Sequence, residues 1–219
     1  MSLPGGFARL PSGPLILASA STARRGLLER AGFAVACQPA TIDEDSVRAS
    51  CAGEGMDAGD TAVLLAEMKG MAVAQSGVAG PGQLLLAADQ ILEIDGEMLG
   101  KPADRMAAAG QLARLSGKPH RLHTAAMIFR DGARIWHHLA RNELHIRTLD
   151  AAQIEAYLDV IGDAAFWSPG SYQIEGAGMH LFSRIDGCHY TILGLPVLEI
   201  TGFLRGHGLS LGAVGSGGS

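Results

Sequence analysis

Residues 84–102 read LLLAADQILEIDGEMLGKP, and this stretch decides the architecture. Residues 84–88 are an apolar run of the length of a buried strand, and it ends in the polar pair Asp89-Gln90. Residues 91–99 contain Asp95-Gly96, a dipeptide that tolerates positive φ at both centres of a tight hairpin turn. Strand, acid and hairpin therefore adjoin. Upstream, residues 15–18 predict a second buried strand, with Ser19 or Ser21 capping a helix that runs through Arg24, Leu27, Leu28 and Arg30 to Gly32. Residues 33–37 read as a further strand, Asp43-Glu44-Asp45 as an acidic loop, and Asp60 as the cap of a helix. In that helix Leu64, Leu65, Met68, Met71 and Ala72 share one face, with Lys69 at its edge. Downstream, residues 103–115 predict a helix, and residues 121–130 and 133–148 a long antiparallel pair meeting at Asp131-Gly132. Asp150 opens a helix to Ile161, residues 179–185 and 190–193 read as strands, and Pro196 stands at the first position of a last helix.

Strands and helices mix without strict alternation, which indicates an α/β protein around a curved mixed β-sheet flanked by helices. Residues 1–14 read as a loose N-terminal segment, and the Gly/Ser-rich residues 206–219 as a flexible tail. At 219 residues and 47% hydrophobic content the chain can bury a core without staples. Its 17 basic against 22 acidic residues leave a net charge of -5, which argues against a general grip on nucleic acid polymers or anionic membrane. Cys37, Cys51 and Cys188 are far apart and odd in number, so the sequence suggests a reducing, cytoplasmic setting rather than a disulfide framework. The apolar run at 15–20 is shorter than the ~7–15 residues of a secretory core and leads into Arg24-Arg25, so it reads as a strand. No stretch has the roughly 18 apolar residues of a membrane span.

Several features carry chemistry. Ser19-x-Ser21-x-x-Arg24-Arg25 at a strand-to-helix turn can converge hydroxyls, backbone N–H groups and a guanidinium on a phosphate, although so short a pattern is more often an N-cap followed by solvated arginines. Gly96-x-x-x-Gly100-Lys101-Pro102 is one residue short of a P-loop and has Pro where Ser or Thr would reach magnesium. It leaves Lys101 on a stiff mount able to aim one charge, or simply an exposed turn lysine. Asp89 is a carboxylate whose burial requires a cation partner, unless the strand surfaces there. The 43–45 acids are either metal ligands or a solvated loop. His120 and His123 lie three apart on a strand and point to opposite faces, and the adjacent His137 and His138 diverge too, so no histidine zinc site is indicated.

In order along the chain stand Leu-Ile-Leu-Ala-Ser-x-Ser-x-x-Arg at 15–24, Asp-Glu at 43–44, Lys69, Ala-Asp-Gln at 88–90 and Gly-Glu-Met-Leu-Gly-Lys-Pro at 96–102. Leu-Ser-Gly-Lys-x-His at 115–120, Gly-Ser-Tyr-Gln-Ile-Glu-Gly at 170–176 and Leu-Gly-Leu-Pro at 193–196 follow. Together they resemble the Maf family of nucleotide pyrophosphatases, from about residue 15 to 204. The resemblance implies a single domain over 15–205 with two lobes around a central cleft. It also implies metal-assisted hydrolysis of nucleoside triphosphates between the α and β phosphates.

In that reading Asp89 is the catalytic base, Glu44 and Asp89 hold Mg²⁺ or Mn²⁺, and Ser19, Arg24, Lys69 and Lys101 bind phosphate. Gln90 and Glu175 resemble the branch acting on 7-methyl-GTP, where a carboxylate meets guanine N–H donors and the positive charge of the methylated ring. Trp167 would stack on that ring or pack as an ordinary aromatic. Ala23 departs from both branches, which favour Arg or Trp at its position, so dTTP, UTP and other modified nucleotides stay open as substrates. A non-catalytic nucleotide-sensing regulator of cell division is the alternative of another kind. Similar proteins are commonly homodimers, but no residue identifies an interface.

Overall fold

A computed structural model describes residues 6–212. The elements run β1 (Ala8–Arg9), β2 (Leu15–Leu17), α1 (Thr22–Arg30), β3 (Val35–Cys37), α2 (Glu44–Gly53), α3 (Ala58–Gln75), β4 (Leu84–Ile94) and β5 (Glu97–Leu99). They continue with α4 (Arg105–Leu115), β6 (Pro119–Arg130), β7 (Ala133–Ile146), α5 (Ala151–Ile161), β8 (Phe182–Asp186), α6 (His189–Ile192), α7 (Val197–Arg205) and β9 (Ser210–Leu211).

Seven strands make one mixed sheet in the order β3-β2-β4-β6-β7-β8, with β5 paired to β4. β2 is parallel to β3 and β4, and the other pairings are antiparallel. Both Asp-Gly hairpins form as the sequence indicates: Asp95 and Gly96 have φ of 53° and 78°, Asp131 and Gly132 of 51° and 79°. The chain is thus a mixed sheet flanked by helices.

Alternation along β4 organises the interior. Leu85, Ala87 and Ile91 pack with Leu65, Ala66 and Val73 of α3 on one face. Leu84, Leu86 and Ala88 pack on the other with α1 and α7, while Leu92 and Ile94 lie further along that same face against α4 and α5. Between these last two apolar clusters, at the even positions, come Gln90 of β4 and Thr124 of β6, which are register partners. Asn142 of β7, paired to Leu122, extends this polar belt. α6 docks over it, with Ile192 entering one cluster and Leu195 the other.

Several sequence expectations are corrected. Asp43-Glu44-Asp45 is not a loop: Asp43 caps α2, accepting the Ser46 N–H at 3.0 Å, and Glu44 and Asp45 occupy its first turn, where acids suit the helix dipole. α3 is capped by Asp57 rather than Asp60, because Asp57 Oδ1 accepts the Asp60 N–H at 2.8 Å. The strand ending before Asp89 is instead an 11-residue strand with Asp89 in its middle. The strand placed at 190–193 is the short helix α6, and the one at 179–185 begins only at Phe182, after a 3₁₀ turn at Ala177–Leu181. Pro196 is the N-cap of α7 rather than its first residue. The ends are also less loose than composition suggests: Ala8–Arg9 pairs antiparallel with Ser210–Leu211. The rest of the expected tail, from 213 onward, lies outside the described residues.

Candidate active site

Asp89 sits on the α3 side of β4 and is 4% exposed. Lys69, in the middle of α3 and 6% exposed, donates to Asp89 Oδ1 at 2.5 Å and lies 2.8 Å from Glu44 Oε1 at the start of α2. One ammonium therefore joins two carboxylates brought from separate elements. Gly70 lets α3 approach this closely, since a Cβ there would run into the Phe129 ring of β6. Burial is the largest influence on the Asp89 carboxyl and pushes its pKa above the ordinary carboxylate value, while Lys69 and Arg24 pull the other way and Glu44 adds to the rise.

Arg24, 8% exposed, supplies the second cation from the first turn of α1, which Ser21 caps by accepting the Arg24 N–H at 3.3 Å. Its guanidinium is anchored through two of its three nitrogens. Nη1 donates to the Ala88 carbonyl at 2.8 Å and to Ser19 Oγ at 3.3 Å, and Nε donates to the Gly194 carbonyl at 3.1 Å. Nη2 makes no hydrogen bond among the described residues, so the fork keeps donors for an incoming oxyanion. Burial lowers the pKa of this guanidinium, Asp89 and Glu44 oppose that, and the group stays a cation. Ser19 Oγ also accepts the Ser21 N–H at 3.2 Å. Ser19, Arg24, Lys69, Asp89 and Glu44 thus form one contiguous charged cluster.

The remaining sequence-derived residues stand outside it. Lys101 is exposed, between buried Pro102 and Gly100, whose flank abuts the Arg48 guanidinium of α2. Ala23 is exposed on α1, one residue before Arg24. Glu175 is exposed and loosely paired with Arg30 of α1 at 3.9 Å and His189 of α6 at 3.7 Å, which places it against the two elements that hold Arg24. Trp167 is 67% exposed and makes no ring contact among the described residues. Gln90 faces the opposite side of the sheet from Asp89: its Nε2 donates to Thr124 Oγ1 at 2.8 Å and to the carbonyls of Thr191 at 2.9 Å and Ile192 at 3.2 Å. Only its Oε1 is left to meet a ligand.

Sequence reasoning missed Gln111 of α4, which donates to the Gly100 carbonyl at 2.8 Å and accepts the Gly170 N–H at 2.7 Å. One side chain thereby ties the Lys101 turn to the loop that leads to Glu175. Nothing in the helix pattern marks it except that it is a polar residue between Ala108 and Leu112, both of which are buried.

The site fits a hard divalent cation in charge and donor type. Asp89 and Glu44 offer carboxylate oxygens to a common positive centre, presently the Lys69 ammonium. A second grouping, Glu143, His145 and Asp186 at the β7–β8 pair, is partly neutralised, since Arg121 and Arg184 already engage its carboxylates. A cavity of about 580 Å³ lined by Asp57, Glu93, Glu97 and Met98 presents acids and no Lys or Arg, which does not suit a polyanion. No helix among the described residues is long and apolar enough to cross a membrane.

The chain is 47% identical over 197 residues to a nucleoside triphosphate pyrophosphatase of Rhodopseudomonas palustris (strain ATCC BAA-98 / CGA009), covering 90% of this chain and 95% of the relative. It is 45% identical over 195 residues to nucleoside triphosphate pyrophosphatase 1 of Jannaschia sp. (strain CCS1), covering 89% and 97%. A nucleoside triphosphate pyrophosphatase of Paramagnetospirillum magneticum (strain ATCC 700264 / AMB-1) is 42% identical over 193 residues, covering 88% and 98%. The Maf-like protein family matches residues 14–207, and with relatives this similar over nearly their whole length the chain belongs to that family.

Proposed function

We propose that the chain is a nucleoside triphosphate pyrophosphatase that hydrolyses the α–β anhydride to a monophosphate and pyrophosphate, with Asp89 as its base. The observation that carries this reading is the cluster in which buried Lys69 joins buried Asp89 to the half-exposed Glu44, while Arg24 Nη2 makes no hydrogen bond among the described residues. A triphosphate requires fixed positive charge and a base that is ionised yet basic, and the cluster supplies both. Arg24 and Ser19 receive phosphate oxygens at the α1 turn, where backbone N–H groups add to the positive potential. Lys101, exposed on its turn, would add charge toward the phosphates. Burial strengthens Asp89 as a base relative to a free carboxylate. It accepts the proton of the attacking water as the anhydride breaks and pyrophosphate leaves.

Glu44 and Asp89 would hold Mg²⁺ or Mn²⁺, and a divalent cation there would offset phosphate charge and acidify the attacking water. For the base we favour 7-methyl-GTP. Glu175 is free to turn toward a cationic ring, because its pairs with Arg30 and His189 are long and exposed and so cost little to break. Ala23, short and exposed, leaves space on α1 for other bases. Purified protein with Mg²⁺ or Mn²⁺ should release pyrophosphate from a panel of 7-methyl-GTP, GTP, dTTP and UTP, fastest from the first. A pyrimidine preference would remove the Glu175 argument, and nucleotide binding without turnover on any substrate would remove the enzymatic reading.

A further inference from the structure

The polar belt between the two apolar clusters has a geometry that reaches Arg24. Asn142, 3% exposed on β7, accepts the Cys188 N–H at 3.0 Å through Oδ1, and the same oxygen lies 2.7 Å from the Thr191 hydroxyl, whose single proton it shares with the Cys188 carbonyl at 2.8 Å. These two bonds hold the start of α6. Its end is held from the neighbouring strands, because the Thr191 carbonyl accepts from Gln90 Nε2 and from Thr124 Oγ1 at 2.9 Å each. The same carbonyl accepts the Gly194 N–H at 3.0 Å, and the Gly194 carbonyl in turn accepts from Arg24 Nε. Gly194 has φ of 107°, and a Cβ there would come within 3.1 Å of Arg24 Nε, so only glycine brings this carbonyl so close without strain.

Three strands thus grip one four-residue helix, and Gly194, two residues beyond its end, anchors Nε of the guanidinium beside the Nη2 left for a ligand. Gly187 closes the belt from above: a Cβ on it would clash with Asn142, so the Asn142 amide has one seat. The grip is polar where its surroundings are apolar. Asn142 Nδ2 finds no partner among the described residues, so this amide costs the fold something that a leucine would not.

We propose that Asn142 and Thr191 are positioning residues that act through α6 and Gly194 to hold the Arg24 guanidinium in its phosphate-binding orientation, and that Gln90 belongs to the same clamp. This rests on the phosphate role given to Arg24 above, and the test separates the two. The variants are Thr191→Val, which removes only the hydroxyl, Asn142→Leu, and Thr191→Ser as the conservative control. The direct readout is the Arg24 Nε–H signal in ¹H–¹⁵N spectra, assigned by its loss in Arg24→Lys. The kinetic readout is KM and kcat for whichever triphosphate of the panel is turned over fastest.

In Thr191→Val and Asn142→Leu the Arg24 signal should exchange with solvent about tenfold faster, and KM should rise about tenfold with kcat changed less than about threefold. Thr191→Ser should match the unaltered protein. An unchanged Arg24 signal in folded Thr191→Val overturns the clamp, whether or not Asn142→Leu folds. A loosened signal with unchanged KM leaves the clamp standing and overturns the phosphate role of Arg24 instead.

Discussion

The Lys69 ammonium lies 2.5 Å from Asp89 Oδ1 between α3 and β4, where neither residue is more than 6% exposed. Removing one member of a buried pair leaves the other charge uncompensated, at about 3 kcal/mol or more. Lys69→Met should therefore lower the melting temperature at neutral pH by ~6–12 °C for a chain of this size. Mg²⁺ should restore part of the loss, and so should acid, by protonating Asp89. Thermal unfolding with and without Mg²⁺ checks this, and an unchanged melting temperature at pH 7 would show that the pair is absent in solution.

Asp89→Asn keeps the shape of the side chain and removes its charge. Lys69 still has Glu44 as a partner, so the fold should survive with a melting temperature within a few degrees. Pyrophosphate release should fall by about 10²–10⁴-fold, the range of a lost general base. Equal activity in the two proteins would take the base role away from Asp89.

His120 titrates out of its usual range. It is 2% exposed, its Nε2 lies 3.0 Å from the Tyr172 hydroxyl, and burial lowers its pKa from 6.5 to about 4, with His145 adding to the shift. The unfolded chain takes up this proton below pH ~6.5 and the folded chain only below about 4, so stability is full above the first value and falls as pH drops toward the second. The loss amounts to roughly 3 kcal/mol at most. Urea unfolding from pH 7 to 4 should show the parent losing stability more steeply than His120→Gln, and parallel curves would contradict a buried neutral ring.

Gly70→Ala tests how closely α3 must approach the sheet. Its Cβ would overlap the Phe129 ring, whereas a Cβ on Gly110 of α4 meets nothing within 4 Å. Gly70→Ala should cost about 1–3 kcal/mol from overpacking and lower activity as well, because Lys69 moves with the helix. Gly110→Ala should be neutral or stabilise by about 0.5–1 kcal/mol. Similar stability and activity in the two variants would deny α3 this role.

Most of the sheet was readable because its signals are local. Alternation and two Asp-Gly turns define β4 to β7, and Ser21 and Asp150 mark helix starts that the structure keeps. Where signals were weak or tertiary contacts overruled them, the reading failed. The sequence of α2 has little apolar periodicity, so Asp43-Glu44-Asp45 passed for a loop although Asp43 is a sound N-cap. His-Tyr-Thr-Ile favours a strand by propensity, yet hydrogen bonds donated by Gln90 and Thr124 and accepted by Asn142 hold it as α6. The charged cluster was foreseeable residue by residue, from Ser19 to Asp89. The belt was not: Thr124 and Asn142 share strand faces with Leu122, Ala126 and Leu144, and no local signal shows that α6 docks over them.

Asp89 and Gln90 are sequence neighbours that β4 sends to opposite sides of the sheet, one to the charged cluster and the other to the belt. Losing a single residue between Leu84 and Asp89 would exchange their faces, setting an amide beside Lys69 and a carboxylate on the side of α6. Unless a bulge takes up the odd residue, this strand keeps its arrangement only through changes of even length: its ruler is the two-residue repeat of the backbone.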